Sequence, residues 1–460
     1  MDISRRRFIQ SSFALSALAV LPACSVTRSQ DAKGRYVYDL TAQPATAEIV
    51  PGFQTSVLGF DGQIPAPTIR CRQNETVTIR FTNKLDEPTT IHWHGLRIPI
   101  EMDGVPFLSQ PPIMPGETFV YEFTPPDAGT FWYHPHMNSV KQLGMGLVGL
   151  IIVEEAQPVV FDEEHDLMLK HWHLDKQGQW KDLMVPRLSA RMGTPGEWSS
   201  VNGVHEPTYT LKQNATTRLR IANVDNTITY PIAIEGAQAW VIAIDGNPVE
   251  KPYRLTEHKI GPGMRVDIGL LAPKAGERVY VRQMKGRFPF PLCHFEVIES
   301  NLPAEQPIPA LPLNPVPNLD LANAIEIDFV FEWEGAVTPA GKDGKAMPKF
   351  WLTNKRAWEG MSKDYVPEPL ASLELGKTYI FDLKNVTQYH HPIHLHGHTF
   401  TVLEMNGKKL AQPFHTDTVL LGKNGRAKAA FVADNPGRWM YHCHVIEHMK
   451  TGLMGYIEVK

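Results

Sequence analysis

Near the end of the chain, Trp439 to Gly455 reads WMYHCHVIEHMKTGLMG. Cys443 stands between His442 and His444, and His448 follows five residues on. Three other stretches repeat the histidine spacing: His92-Trp93-His94, His134-Pro135-His136, and His394-Leu395-His396 with His391 just before it. Residues i and i+2 of a strand face one side, so each His-x-His points two imidazoles into one space. Neutral imidazole suits copper, zinc and iron. A regular strand turns Cys443 away from the space that His442 and His444 share. Its thiolate then serves a second metal, completed by His391 and His448. Two imidazoles and one thiolate make a trigonal blue-copper site, and Cys443 joins it to the histidine cluster through its own neighbours.

The elements that position these residues repeat. Residues 74–95 (NETVTIRFTNKLDEPTTIHWHG), 214–236 (NATTRLRIANVDNTITYPIAIEG) and 376–397 (GKTYIFDLKNVTQYHHPIHLHG) each hold an alternating strand, an Asn, a loop, a second strand and a Gly. Period-2 alternation marks strands with one buried face, and three copies imply three similar β-domains. A second block repeats as GTFWYHPH (129–136), GERVYVRQ (276–283) and GRWMYHCH (437–444). In the first and third copies His92 matches His394, His94 matches His396, His134 matches His442 and His136 matches His444. The middle copy has Val281 and Gln283 in the second block and no histidine in the first. Face-to-face meeting of the outer two domains would bring eight imidazoles together. The expected division is a leader over 1–30, domains over 36–157, 158–300 and 319–460, and a Pro-rich linker over 301–318.

These stretches resemble the four copper-binding motifs of the multicopper oxidases, in their three-domain laccase branch: HWHG (92–95), HPH (134–136), HPIHLHG (391–397) and HCHVIEH (442–448). The resemblance covers essentially the whole chain after the leader. It implies three consecutive cupredoxin-like Greek-key β-sandwiches and four coppers per chain. It implies a type 1 copper on His391, Cys443 and His448, a type 2 copper on His92 and His394, and a type 3 pair on His94, His134, His136, His396, His442 and His444. Substrate would be oxidised by single electrons at type 1 copper, and O2 reduced to two waters at the other three.

The departures carry information. Many members place Met ten residues after the cysteine as a weak axial ligand; here Leu453 stands there and Met454 is one step out of phase. Leu453 is expected to face the copper without ligating it, which favours Cu(I) and raises the potential. Asp103, in EMDGVP, occupies the place of an acid that many bacterial members use near type 2 copper; an Asp-Gly turn also explains it. Where bacterial members often carry Glu after the last ligand, this chain has Met449, leaving Glu447 or water to relay protons. His171-Trp172-His173 has no partner pair and reads as structural. His390 and His398 flank ligands.

For substrate, cuprous oxidases carry Met-rich segments, but only Met347 and Met361 lie between Gly335 and Pro369. Fe(II) would favour carboxylates beside the ligands, and Thr387 to His390 offers none. Phenols and aryl amines need an open apolar depression, which Trp351 and Trp358 would line unless both are core. A laccase-like phenol or aryl amine oxidase is favoured, with ferroxidase or cuprous oxidase next. A copper-free envelope scaffold of this ancestry would lack ligands, and a copper store would need no Cys443 link.

The chain has 460 residues, net charge −4 and no basic block, which excludes nucleic acid and acidic membrane surfaces as partners. It is expected to act as a monomer. Residues 4–10, SRRRFIQ, before an apolar stretch from Ser12 to Val20, resemble a twin-arginine export leader. Twin-arginine machinery would deliver the protein to the periplasm or cell envelope. Leu21-Pro22-Ala23-Cys24 looks like a lipoprotein box, with simple cleavage near Ala23 as the alternative. Cys71 and Cys293 are expected as buried free thiols rather than a disulfide.

Overall fold

A computed structural model describes residues 28–30, 36–284, 289–304, 306–334 and 349–460. The export motif, Cys24 and Met347 lie outside the described residues. Arg28–Gln30, the last three residues given to the leader, form a strand paired with Tyr36, Val37 and Tyr38.

The repeated alternating segments are strands Val77–Asn83, Thr216–Asn223 and Thr378–Asn385. Each pairs in parallel with an earlier strand (Tyr36–Val50, Glu163–Trp172 and Ile325–Trp333) and antiparallel with a later one (Thr118–Phe123, Arg265–Leu271 and Arg426–Val432). The conserved geometry at their ends explains the repeated Asn. Asn83, Asn223 and Asn385 are buried, and each Nδ2 donates to two backbone carbonyls. Each Oδ1 accepts a backbone N–H two residues on. One amide thus satisfies three main-chain groups where the chain leaves the sheet, the role for which a short donor–acceptor side chain is suited.

The second repeated block builds a second sheet in each copy. His92–His94 pairs with Gly129–His134, Tyr230–Glu235 with Arg278–Gln283, and His391–Leu395 with Gly437–Cys443. The described residues therefore form six sheets in three pairs, each pair enclosing its own apolar core. Trp93, Trp351 and Trp439 are fully buried in the outer two cores. Burying one such ring contributes about 4–6 kcal/mol by area. Cys71 and Cys293 are buried in different cores and do not pair with each other. The linker between the second and third sheet pairs is extended and pinned by Asn314, whose side chain bonds Ala128 on both N and O.

No described helix is long and apolar enough to cross a membrane.

Candidate metal centre

Antiparallel pairing sets the histidines side by side. His92 lies opposite His134, and His394 opposite His442. The two sheets then meet so that histidines of one interleave with those of the other. His92 stacks on His396 with ring centroids 3.7 Å apart, and His94 on His394 at 3.8 Å. His92 Nε2 lies 3.5 Å from His394 Nε2, and His396 Nε2 lies 3.2 Å from His442 Nε2. All eight rings are buried.

Their outer nitrogens are tied to acceptors, which fixes the tautomers. Nδ1–H donates to a backbone carbonyl in His92 (Asp103, 2.9 Å), His394 (Asp417, 2.9 Å), His442 (Cys443, 2.9 Å) and His134 (Pro135, 3.2 Å). His396 Nδ1 donates to Asp103 Oδ2 at 2.9 Å, and His94 Nε2 to Asp417 Oδ1 at 3.0 Å. The inward nitrogens are therefore lone pairs. His94 Nδ1, His134 Nε2 and both ring nitrogens of His136 and His444 have no hydrogen-bond partner. A buried polar atom left unmade costs about 1–3 kcal/mol; a neutral imidazole keeps one N–H, so four of the six are lone pairs, and these call for cations that they can ligate. Burial is the main cause that holds His94, His134, His136, His396, His442 and His444 well below the usual imidazole range, and neighbouring histidines add to it. They are neutral and available as ligands.

Cys443 faces away from this cluster, as strand geometry requires. Its Sγ lies 3.6 Å from Nδ1 of His391 and 3.6 Å from Nδ1 of His448, and those nitrogens are 3.1 Å apart. A point in that triangle is about 2 Å from all three atoms, the order of metal–nitrogen and metal–sulfur bonds. All three side chains are fully buried. Burial alone pushes the thiol up, and it lowers His448 to about 3. A bound cation reverses that logic for the thiol and holds it as thiolate. Leu453 shares the core cluster of Cys443, whereas Met454 packs on a separate cluster with Trp132 and Met449.

Sequence spacing thus finds all eleven cluster residues, and the structure brings them together as one eight-histidine group and one Cys-His-His group. Asp103 reaches both halves of the larger group: its carboxylate lies 3.2 Å from His92 Nδ1 and 2.9 Å from His396 Nδ1. Glu447 does not face the cluster space. Its buried carboxylate accepts from Ser189 Oγ, Thr194 N and Thr194 Oγ1, so it is occupied in holding the middle sheet pair. His171 and His173 bond Tyr230 and the Thr194 carbonyl and are structural. His390 is exposed, while His398 is buried beside Trp439 and Phe431. Trp351 and Trp358 line no open depression. Trp351 is fully buried, 4.3 Å from the His448 ring and 5.0 Å from the His391 ring, and Trp358 is buried too.

Three residues escaped the spacing. Asp417 backs both His94 and His394, and Arg265 of the middle sheet pair clamps it through Nη1 at 3.0 Å and Nη2 at 2.7 Å. Burial opposes ionisation of Asp417, but the Arg265 guanidinium outweighs it and holds the carboxyl low. Gly263 (φ +89°) lies so close that an added Cβ would be 2.8 Å from the His444 ring and 3.0 Å from His94. None of the three belongs to a repeat of chemistry-bearing residues, so no periodic signal marked them.

Multicopper oxidase family models match residues 41–158, 163–290 and 341–460. A solved multicopper oxidase from Pseudomonas thermotolerans is 45% identical, with TM-score 0.85, covering 94% of this chain and 100% of its own. The chain belongs to the multicopper oxidases. The curated multicopper oxidase mco of Staphylococcus aureus is 28% identical over 445 residues, 94% of this chain and 90% of its own. A Campylobacter jejuni structure described as a multicopper metallo-oxidase is 26% identical, TM-score 0.80, covering 95% and 94%. The three sheet pairs are thus cupredoxin domains, the cofactor is copper, and the protein is an oxidase that passes electrons from a reducing substrate to O2.

Proposed function

We propose that the chain is an exported, laccase-like oxidase in which four one-electron oxidations of a small reductant balance O2 and four protons against two waters. The observation that carries this is the placing of Cys443 3.6 Å from both His391 and His448 while its neighbours His442 and His444 stand in the eight-histidine group. Copper supplies the one-electron redox steps. His391, Cys443 and His448 would hold the electron-accepting ion; His92 and His394 would hold the second; His94, His134, His136, His396, His442 and His444 would hold the remaining pair. One backbone segment, 442–444, therefore supplies ligands to both centres and gives electrons a covalent path between them.

The protein's own groups do the rest. Asp103, in hydrogen-bond contact with His396 and beside His92, fixes both imidazoles and is the acid nearest the site of proton uptake. Asp417 orients His94 and His394. Leu453, in the same core cluster as Cys443, would offer a copper there no donor atom. Domains over 36–157, 158–300 and 319–460, with a connector over 301–318, accord with the sheet pairs. Export by the twin-arginine route, with residues 1–30 as leader, puts the enzyme in the periplasm or cell envelope.

Phenols and aryl amines are the favoured substrates, since among the described residues neither a thioether nor a carboxylate bonds His391 or His448. Likeness to the Campylobacter jejuni metallo-oxidase supports the second reading, oxidation of Fe(II) or Cu(I). O2 uptake by the copper-loaded protein with a methoxyphenol, Fe(II) and Cu(I) in turn decides between them, with Cys443→Ser as control. Uptake that survives this substitution, or no uptake with any donor, refutes the oxidase reading.

A further inference from the structure

The Cys443 centre is closed to solvent. His391 and His448 are both 0% exposed. The outward Nε2–H of His448 donates to the Arg191 carbonyl at 2.7 Å, and His391 Nε2 meets Thr387 Oγ1 at 3.0 Å. The lid is the middle domain's segment 185–194, a short helix Pro186–Ser189 and the turn after it. Glu447 anchors it through Ser189 Oγ, Thr194 N and Thr194 Oγ1, and Trp351 Nε1 donates to the Ser189 carbonyl at 2.9 Å. Ala190 belongs to the same core cluster as Cys443. Hydrogen bonds to a charged group contribute about 1.5–3 kcal/mol each, so this cover is fixed in place. A reductant has no imidazole edge to touch.

Two protein groups bond the outward nitrogens. Thr387 is itself buried, whereas Arg191 is exposed. Arg191 therefore links solvent to the centre through one peptide carbonyl and one hydrogen bond. Arg187, four residues earlier across the helical turn, is exposed too, and neither guanidinium forms an ion pair among the described residues. Met192 beside them is 60% exposed.

We infer that electrons enter across the Arg191 peptide from donors docked on the outer face of 185–194, and that Arg187 and Arg191 make this entrance selective for anionic reductants such as phenolates and carboxylated aromatics. The inference rests on the oxidase reading above and narrows its substrate class. Each donor gives up one electron and leaves as its one-electron-oxidised form; four donors match one O2 and four protons. Fe(II) and Cu(I) approach two like charges that no carboxylate among the described residues pairs, while anions are steered, an effect of about 10 to 10³ on association that salt screens.

Two substitution-inert donors, which need no ligand contact, test this: ferrocyanide and hexaammineruthenium(II). With the copper-loaded protein, kcat/KM for ferrocyanide is expected to exceed that for the ruthenium complex at low salt and to lose this advantage at high salt. Arg187→Glu with Arg191→Glu should lower the ferrocyanide-to-ruthenium ratio by at least about tenfold, mainly through KM. Hexacyanocobaltate(III), a redox-inert relative of ferrocyanide, should bind the parent protein in calorimetry and bind the double variant about tenfold more weakly. Arg191→Gln, a milder change, should give an intermediate ratio. Turnover of both donors at an unchanged ratio, or equal hexacyanocobaltate binding by both proteins, overturns the entrance and leaves the oxidase standing. Turnover of neither donor by the copper-loaded parent overturns the oxidase reading itself.

Discussion

At the proposed centres, Leu453 and Asp103 are the residues whose replacement tests the tuning. Leu453 shares a core with Cys443 and brings no donor atom, so it would add no ligand to a copper held there. A thioether there would favour Cu(II). Leu453→Met is expected to lower the type 1 potential in a redox titration; an unchanged or raised potential would mean that residue 453 does not face the metal. Asp103 touches His92 and His396 but neither residue of the type 1 pair. Asp103→Asn keeps an oxygen for His396 and removes the charge. It should slow reoxidation by O2 about 10- to 100-fold, the usual cost of losing such a partner, while anaerobic bleaching of the blue absorption proceeds at the parent rate. Equal slowing of both steps would mean that Asp103 acts through general folding instead.

At the scale of elements, four paired strands do the positioning and one loop limits the space. His92–His94 with Gly129–His134, and His391–Leu395 with Gly437–Cys443, place histidines in opposite register. A slip of one residue would turn every ligand to the other face, so each strand's buried alternation also protects the site. The loop before Arg265 enters from the middle domain, where Gly263 meets His444 and His94 with no room for a methyl group. Its φ of +89° is also unfavourable for any other residue. Gly263→Ala is expected to cost about 1–3 kcal/mol of stability and to lower the copper content per chain, read by thermal unfolding and metal analysis. Full copper loading in that variant would show that the loop can retreat without disturbing the histidines.

Across the whole molecule, the site exists only where three domains meet, and its burial sets its response to acid. Folded His94, His134, His136, His396, His442 and His444 resist protonation far below the ordinary value of 6.5. In the unfolded chain they take up protons as the pH falls through about 6.5. The unfolded state then binds more protons, so stability present above that pH is lost below it. The unfolding free energy of metal-free protein should fall steadily from about pH 6.5 downward, by more than about 1.4 kcal/mol per unit if several groups contribute, and the thermal midpoint should fall with it. A midpoint that holds level down to about pH 5 would contradict that burial. The middle domain, though it lacks the histidine pairs, is not a spacer: it supplies Arg265 to Asp417, Gly263 to the cluster wall and segment 185–194 over His448.

The sequence by itself picked out the ten histidines and the cysteine that the structure gathers, and the two directions in which they face. Strand alternation sends His442 and His444 one way and Cys443 the other, and the same alternation in three copies announces the β-domains. The repeated Asn at 83, 223 and 385 was legible as a mark of the repeat, though its three hydrogen bonds were not. Only the tertiary structure decided what stands behind and above the ligands. Asp417, Arg265 and Gly263 act through contacts between residues more than 150 positions apart in sequence, and no local period records such contacts. For the same reason the sequence left Glu447 or water open as proton relay and left Trp351 and Trp358 open as substrate wall or core; the structure ties Glu447 to Ser189 and Thr194 of the middle domain and buries both tryptophans. Local spacing fixes which way a side chain points; which surface it meets depends on how separate domains pack.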